Sequence, residues 1–385
     1  MNPTAPEARL PLLDLLRGVA IVGIVFANAQ FYATPRMTVP GYRVVDEFPG
    51  AVDRVADWLV VALAEGKLYP LLGLLFGYGF GAQLERGGAG ARYARRLIAL
   101  LVLGLLHLLL VWAGDVLVAY ALLGAVLALF RRRSDRTLLR WALALGLVHV
   151  AWLLVAAVSH YAFPLDELAV QKAAVEATHA YGDGGWEEAQ RARTYDAALN
   201  APLGVLVAGP GFLAMFLLGY WAQRRELLRR ARECRALLRR TALLGLAVGG
   251  GTSVAAATLW QAGGRGAEAL ATALSAGALV HALGYGAALA LLGERARARL
   301  LAPLRAVGRT ALSNYLFQSL VATTIFYGYG LGLYGEVGPA RLLAIAAAVA
   351  AAGAALSVAW LRLFRFGPAE WLLRSLTYAR PQPLR

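Results

Sequence analysis

Long apolar stretches, each long enough to cross a bilayer as a helix, recur from one end of this chain to the other. A helix needs about 20 mostly apolar residues to cross roughly 30 Å of hydrocarbon. We place such spans at 13–33, 66–85, 97–113, 115–130, 138–158, 202–222, 241–261, 268–292, 310–328 and 341–361. Only 16% of the 385 residues are charged, too few to cover a soluble protein of this size. The pattern predicts an all-α polytopic membrane protein, a bundle of about ten transmembrane helices forming a single domain over residues 1–385.

Basic residues are distributed unequally between the two sides of the membrane that these spans define. One set of connections carries 28 Lys and Arg residues, and the opposite set carries 8. Cytoplasmic loops of membrane proteins hold the excess of basic residues. We therefore predict a protein of the bacterial inner (plasma) membrane with both termini in the cytoplasm. The net charge of +15 follows from this bias, so the expected partner is the lipid bilayer and no nucleic acid is expected.

Two segments on the predicted outer side have patterns of their own. Residues 51–64 place apolar side chains on one helical face and Asp53, Arg54 and Asp57 opposite, which predicts an interfacial amphipathic helix. The longest outer connection, 159–201, is polar and is expected to form an exoplasmic helical loop that is broken near its glycines. It either covers an external cavity or is a solvated loop.

The first span carries polar residues on one side. At 100° per residue, Asp14, Arg17 and Asn28 fall on a narrow stripe with Ile21 and Val25. Polar groups are costly in hydrocarbon, so this stripe is predicted to face the interior of the bundle. Asp14 and Arg17 are three residues apart and can pair near the cytoplasmic edge, either as part of a site or as a structural ion pair.

His107 lies about ten residues into the third span, which predicts a position roughly 15 Å deep, near the middle of the membrane. A histidine there can act as a general base, relay protons or form a hydrogen bond in the core. No two histidines are spaced as neighbours on one helix face, and the chain has one cysteine, Cys234, so no metal site is expected.

The start of the ninth span is unusually polar for a membrane helix. Asn314 and Gln318 are one turn apart, and Arg309 lies just before them. Amide groups at these positions can line a site, or they can join neighbouring helices by hydrogen bonds.

Glycine repeats every four residues in the second span, at Gly73, Gly77 and Gly81. Small residues at this spacing let two helix backbones approach closely. The repeat therefore predicts close helix packing and not ligand contact.

Four groups of sequence motifs together resemble one bacterial family. They are Leu13–Gly18 with Asn28; Glu65–Tyr69 with Leu75–Gly79; Gly104–His107 with Trp112, Gly114, Asp115 and Tyr120; and Gly308–Tyr315 with Gln318, Ser319 and Tyr327–Gly330. From about residue 10 to 375 the chain resembles the YeiB-like bacterial inner-membrane family, known mainly as a domain of unknown function. That family is similar to a clan of membrane acyltransferases that includes heparan-α-glucosaminide N-acetyltransferase, whose members share an Asp-x-x-Arg-Gly start to the first helix.

The resemblance implies transfer of an acyl group from cytoplasmic acyl-CoA to an acceptor on the outer side. The N-acetyltransferases of the clan carry a catalytic His between their first and second helices, whereas residues 34–65 here contain none, so His107 is the nearest candidate. The catalytic candidates are His107, Asp115 and Asn314. The candidates for binding substrate or acyl-CoA are Asp14, Arg17, Asn28, Lys67, Tyr69, Trp112, Tyr120, Arg309, Tyr315 and Gln318.

Three functional hypotheses fit this sequence. The first is a membrane acyltransferase with acyl-CoA as co-substrate and a small-molecule, glycan or lipid acceptor. The second is a transporter or lipid-handling permease that uses the same polar interior, and the third is a structural or accessory membrane protein. Binding of acyl-CoA separates the first hypothesis from the other two. The sequence leaves the oligomeric state open, with a homodimer as one option.

Overall fold

The computed structural model describes residues 10–39, 41–87, 90–163, 165–295, 297 and 299–385. Regular secondary structure in these residues is helical, which confirms the all-α class. The helices are α1 (Pro11–Ala33), α2 (Val44–Glu47), α3 (Ala51–Leu63), α4 (Leu68–Gly87), α5 (Ala91–Leu110), α6 (Leu117–Ala128), α7 (Asp135–Ala162), α8 (Glu167–Thr178), α9 (Trp186–Arg224), α10 (Arg235–Leu244), α11 (Gly250–Ala262), α12 (Arg265–Leu274), α13 (Ala278–Arg295), α14 (Ala302–Arg309), α15 (Ala311–Phe326), α16 (Pro339–Leu363) and α17 (Pro368–Tyr378). A π-helical segment, Gly245–Gly249, joins α10 to α11, and a 3-10 segment, Ser275–Gly277, joins α12 to α13.

Eight helical segments in the described residues are long and apolar enough to cross a membrane. They are α1, α3 with α4, α5, α7, α9, α10 with α11, α12 with α13, and α16. The remaining two predicted spans, 115–130 and 310–328, correspond to α6, with 12 residues, and α15, with 16 residues. At 1.5 Å per residue these helices rise only about 18 and 24 Å, so they fall short of the predicted length.

Glycines allow the central helices to pack with their backbones in contact. A Cβ atom on Gly77 of α4 would lie 2.1 Å from the carbonyl oxygen of Phe216, and one on Gly219 of α9 would lie 1.9 Å from that of Leu74. The predicted close packing of the glycine repeat in the second span is therefore confirmed, with α9 as the partner. This contact, together with α1, α5 and α6, builds the main hydrophobic core.

A second close crossing joins α1 to α14. A Cβ atom on Gly18 would lie 1.8 Å from the carbonyl oxygen of Leu304, and one on Gly308 would lie 1.8 Å from that of Asp14. The crossing brings α15, which follows directly, against α1, where the Gln318 side-chain amide donates to the carbonyl oxygen of Ile21 at 3.1 Å. The polar residues of these two helices are positioned by this contact.

The segment predicted to be amphipathic is helical over Ala51–Leu63. Its charged residue Asp57 is fully buried and accepts a hydrogen bond of 2.8 Å from Gln30, while Val52 is 72% exposed. The helix thus turns Asp57 toward the protein and leaves valines at its exposed face, an arrangement compatible with contact to lipid. Its location at the membrane interface stays a prediction.

The long outer connection contains α8, a π-helical turn over His179–Asp183 and the start of α9 at Trp186. The chain is extended at Gly184 and Gly185, where the sequence predicted a break between short helices. Backbone carbonyl and amide groups then tie this turn to the loop after α15, with Gly328 donating to the carbonyl oxygen of Tyr181 at 2.7 Å. The exoplasmic location of this connection stays a prediction.

Candidate functional site

His107 and Asp115 form a buried pair at the end of α5. The Nδ1 atom of His107 lies 2.8 Å from Oδ2 of Asp115, and the side chains are 2% and 0% exposed. The other carboxylate oxygen of Asp115 accepts from the backbone amide of Val118 at 2.8 Å and so fixes the start of α6. With Nδ1–H donating a hydrogen bond to the carboxylate, a neutral imidazole carries its lone pair on Nε2.

The Nε2 atom of His107 is buried and has no hydrogen-bonding partner among the residues that the structure describes. The ring of Tyr315 lies beside it, with the ring centroids 5.0 Å apart. The Tyr315 hydroxyl accepts from the backbone amide of Val116 at 3.3 Å, which leaves its own proton for another acceptor. A buried polar atom without a partner is costly, so its presence is a reason to look for a ligand there.

Aromatic and amide side chains from α1, α4 and α6 surround this pair. The hydroxyl of Tyr69 donates to the side-chain oxygen of Asn28, and that of Tyr120 donates to the backbone oxygen of Tyr69 at 2.7 Å. Tyr32 packs on Trp112 with ring centroids 4.1 Å apart. These contacts bring together predicted residues that are separated by up to 92 positions in the sequence.

Two more polar atoms of this region are buried without partners in the described part of the chain: the indole nitrogen of Trp112 and the side-chain oxygen of Gln318. Gln318 and Trp112 are both 2% exposed. The Tyr32 hydroxyl, which packs beside Trp112, lies 2.7 Å from that of Ser319. The pair and its surroundings are therefore a buried polar site in which both donors and acceptors have no partner among the described residues.

The structure corrects the predicted position of His107 along its helix. It lies in the last turn of α5, three residues before the helix ends at Leu110, and not near the middle of that helix. The helix begins at Ala91, six residues before the predicted start of the span. Its first turns contain Arg92, Arg95 and Arg96, of which Arg92 is exposed.

Asn314 lies on α15 next to Tyr315 but has other partners. Its side-chain amide donates to the backbone and side-chain oxygens of Thr310 at 3.0 and 2.9 Å and to the Ser357 hydroxyl at 2.8 Å. These bonds join α15 to α16, the role that amides often have between membrane helices. The structure therefore gives Asn314 a helix-joining contact with Ser357, and its catalytic role stays a prediction.

A cationic cluster lies at the other end of the same helices. Arg17 of α1 and Arg374 of α17 are charged neighbours of Arg96 on α5. Arg17 also interacts electrostatically with Asp14 and Glu370, although the direct Asp14–Arg17 ion pair predicted from sequence is not formed. Neither Arg17 nor Arg96 forms a hydrogen bond or an ion pair with any described residue, and the Nε atom of Arg96 is buried without a partner.

Local structure explains how this cluster is accommodated. Gly79 of α4 faces Arg17, since a Cβ atom there would lie 2.7 Å from the guanidinium. The guanidinium of Arg96 lies over the ring of Phe80 at 5.3 Å. Burial raises the pKa of the Glu370 carboxyl, and its oxygens accept from Ser313 and Leu312 at the start of α15. Arg17 and Arg96 therefore have no bonded counter-ion among the described residues, which favours binding of an anion beside them.

The cationic cluster and the His–Asp pair are linked by a regular spacing. Arg96 and His107 are 11 residues apart on α5, and Arg17 and Asn28 are 11 residues apart on α1. Eleven residues make three helical turns plus about 20°, so each pair shares one helix face with a rise of roughly 16 Å. Both helices thus present a cation at one end and, at the other, a polar group that lies at or near the His107–Asp115 pair.

Two other predicted residues, Lys67 and Arg309, form hydrogen bonds to backbone carbonyl groups. Lys67, two residues before Tyr69 in the chain, is 5% exposed and donates to the carbonyl oxygen of Val61. Arg309 donates to the backbone oxygen of Arg365 at 3.4 Å. Cavities of about 460 and 520 Å³ lie around Leu129 and Arg133, and neither is lined by His107 or Arg17.

Sequence reasoning missed Tyr32, Glu370 and Arg374 as members of these sites. Tyr32 is one turn beyond Asn28 on α1, so the stripe extended by four residues would have included it. Glu370 and Arg374 reach the cluster from the C-terminal helix, and no local pattern connects them to α1 or α5. Within the described residues, no group of three or more His, Cys, Asp or Glu side chains is placed to hold a metal ion.

The fold and site define an all-α polytopic membrane protein with a buried histidine–carboxylate pair above an internal cationic cluster. The chain belongs to the YeiB-like family described as "Protein of unknown function (DUF418)", whose family profile matches residues 222–380. It is 36% identical to the Uncharacterized protein YxaH of Bacillus subtilis, over 100% of this chain and 98% of the relative. It is 30% identical to the Uncharacterized protein YeiB of Escherichia coli, over 96% and 97%. No solved structure matches this chain.

Proposed function

We propose that the protein is a membrane acyltransferase that takes an acyl group from cytoplasmic acyl-CoA and transfers it to a hydroxyl or amine of an acceptor on the outer side. The observation that carries this proposal is the buried His107–Asp115 pair with an unused Nε2 atom, three helical turns from an unpaired Arg96 on the same face of α5. Acyl-CoA matches this separation between a cation and a base, because its phosphates lie one pantetheine arm away from the reacting carbonyl.

The proposed reaction uses His107 as a general base. Its Nε2 atom accepts the proton of the acceptor while the acceptor oxygen or nitrogen attacks the thioester carbonyl carbon. The carbon–sulfur bond then breaks, the imidazolium returns the proton to the coenzyme A sulfur, and the acylated acceptor leaves. Asp115 holds the ring in the required tautomer and stabilises the imidazolium.

Charge that develops on the carbonyl oxygen needs hydrogen-bond donors near the pair. The hydroxyl of Tyr315 and the indole N–H of Trp112 are the unused donors in this region. Gln318 is less suited to this step because its side-chain amide already donates to the backbone oxygen of Ile21. We therefore assign stabilisation of the oxyanion to Tyr315 and Trp112.

The cationic cluster is proposed to hold the phosphates of acyl-CoA. Changing Arg96 to Gln should weaken binding of acetyl-CoA and longer acyl-CoAs roughly 10- to 100-fold, the effect of losing one hydrogen-bonded charge contact. Arg17→Gln should have a similar effect. Calorimetric titration of the purified protein in detergent measures these affinities. Arg92 is exposed on the same helix, so Arg92→Gln is the matched control and should bind as the unchanged protein does.

The titration also separates the competing functions. If no acyl-CoA binds below millimolar concentration, the acyltransferase proposal fails and the transporter or permease hypothesis takes its place. Equal losses in Arg92→Gln and Arg96→Gln would mean that the effect is one of net charge and not of this site.

We propose that the membrane is the bacterial inner membrane and that both termini are cytoplasmic, on the basis of the arginine distribution. The only cysteine, Cys234, lies in the arginine-rich connection between α9 and α10 and is partly exposed. A membrane-impermeant maleimide should leave Cys234 unmodified in intact spheroplasts and modify it in inverted vesicles. A cysteine introduced at exposed Glu176 should show the reverse pattern, and modification of Cys234 in spheroplasts would overturn the orientation.

A further inference from the structure

Arg193 is a fully buried cation in the first part of α9, with none of its side chain exposed. Its Nη1 atom donates to the carbonyl oxygen of Leu110 at 2.8 Å and to the side-chain oxygen of Gln190 at 2.7 Å. Leu110 is the last residue of α5, three positions after His107, so Arg193 is joined directly to the helix that carries the His–Asp pair.

The charge of Arg193 has no counter-ion in the part of the chain that the structure describes. No carboxylate forms an ion pair with it, and Asp196, one turn later, instead accepts a hydrogen bond of 2.6 Å from the Tyr181 hydroxyl. The guanidinium lies over the rings of Trp186 at 5.2 Å and Tyr327 at 5.7 Å. Burying a charge without a bonded partner is strongly unfavourable, and two cation–π contacts offset only part of that cost.

The unused donors of Arg193 are arranged as a site for an oxyanion. Its Nε and Nη2 atoms are both buried without a hydrogen-bonding partner among the described residues. These two atoms form one edge of the planar guanidinium, the edge that binds two oxygens of a phosphate or carboxylate side by side. The Nη1 atom, which holds Leu110 and Gln190, points away from that edge, so the anchoring bonds and the free edge do not compete.

Aromatic side chains lie beside the Arg193 guanidinium. Trp186 is 51% exposed and packs on Tyr329 with ring centroids 5.1 Å apart. Exposed tryptophan and tyrosine are typical of the membrane–water boundary, where phosphate groups of lipids and of soluble esters are both present.

We propose that the free edge of Arg193 binds a phosphate group of the acceptor, carried either by a lipid headgroup or by a soluble phosphate ester. The assignment of this phosphate group to the acceptor rests on the proposed acyl transfer. The binding of a phosphate group at Arg193 does not depend on it. The site would place an anionic acceptor at the end of α5, beside the aromatic residues that surround His107.

The test is calorimetric titration of the full-length protein in a maltoside detergent, without acyl-CoA. The probes are sn-glycerol 3-phosphate, with glycerol as its control, and short-chain phosphatidylglycerol, with the matching diacylglycerol as its control. We expect one phosphate probe to bind saturably and its control not to bind. Arg193→Gln should weaken that binding at least 10-fold, and Arg193→Lys should weaken it less, because lysine keeps the charge but lacks the two-donor edge.

Arg191 is the matched control, since it lies on the same helix, is 74% exposed and pairs with Glu187. Arg191→Gln should bind the phosphate probe as the unchanged protein does. The proposal is overturned if neither probe binds, or if Arg193→Lys and Arg193→Gln bind as tightly as Arg191→Gln. If the protein binds a phosphate probe at Arg193 but does not bind acyl-CoA, the transfer reaction is refuted and the phosphate site is not.

Discussion

Replacing His107 with alanine should lower the rate of acyl transfer from acyl-CoA by roughly 10²- to 10⁴-fold, the range that general-base catalysis contributes. In the proposed reaction the Nε2 atom of His107 is the base, and its loss should leave binding of acyl-CoA at the cationic cluster intact. Release of the coenzyme A thiol by purified protein in native lipid extract measures the rate. The affinity for acyl-CoA should be unchanged, because Arg17 and Arg96 lie about three helical turns away.

Substitution of Asp115, the hydrogen-bonding partner of His107, should also lower turnover. Asp115→Asn preserves the shape of the side chain but replaces an accepting oxygen with a donating group or a neutral acceptor. The imidazole then loses both its fixed tautomer and the charge that stabilises the imidazolium, so we expect a loss of turnover of a similar order. The same substitution keeps an oxygen for the amide of Val118, which limits the damage to α6.

His149 provides the control for these variants. It lies on α7, where its Nδ1 atom is 3.2 Å from the carbonyl oxygen of Val207, away from the His–Asp pair. His149→Gln should keep full turnover. Full turnover in a folded His107→Ala protein would show that His107 is not the base, even if acyl-CoA binds.

The membrane fold was predictable because it depends on the length of apolar runs. The runs located the long helices, and the four-residue repeat of Gly73, Gly77 and Gly81 indicated the close contact that α4 makes with α9. The lengths of α6 and α15 were overestimated from the sequence, and for α15 the reason is physical. Apolar side chains continue past the end of α15 into a loop held by tyrosines such as Tyr327, and hydropathy alone does not distinguish a buried loop from a helix.

The site was only partly predictable because its residues meet through tertiary contacts. His107 and Asp115 are separated by a helix end and a turn at Gly114, so helical spacing gave no reason to pair them. The predicted position of His107 along α5 was wrong because Arg92, Arg95 and Arg96 were assigned to the loop before α5 and not to its first turns. Arg374 and Arg193 come from helices far along the chain, and the full burial of Arg193 is visible only in the structure.

Replacing Gly219 with alanine should destabilise the folded protein by about 3 kcal/mol, the upper part of the range for overpacking a core. Its Cβ atom would lie 1.9 Å from the carbonyl oxygen of Leu74 and 2.8 Å from the amide of Tyr78. Backbone atoms cannot rotate away as a side chain can, so α4 and α9 must separate. Gly77→Ala should act similarly, because its Cβ atom would meet the backbone of Phe216 from the other side of the same contact.

Gly146 on α7 supplies the matched comparison, since a Cβ atom there has no described atom within 4 Å. Gly146→Ala should raise stability by up to about 1 kcal/mol, because alanine is the better helix former and nothing opposes its methyl group. Unfolding in mixed detergent and sodium dodecyl sulfate, followed by circular dichroism, gives the free energies of unfolding for all three variants. Equal stabilities of Gly219→Ala and Gly146→Ala would show that α4 and α9 are not in backbone contact. The double variant Gly77→Ala with Gly219→Ala should lose less than the sum of the two single losses, because the first methyl group already separates the helices that the second would meet.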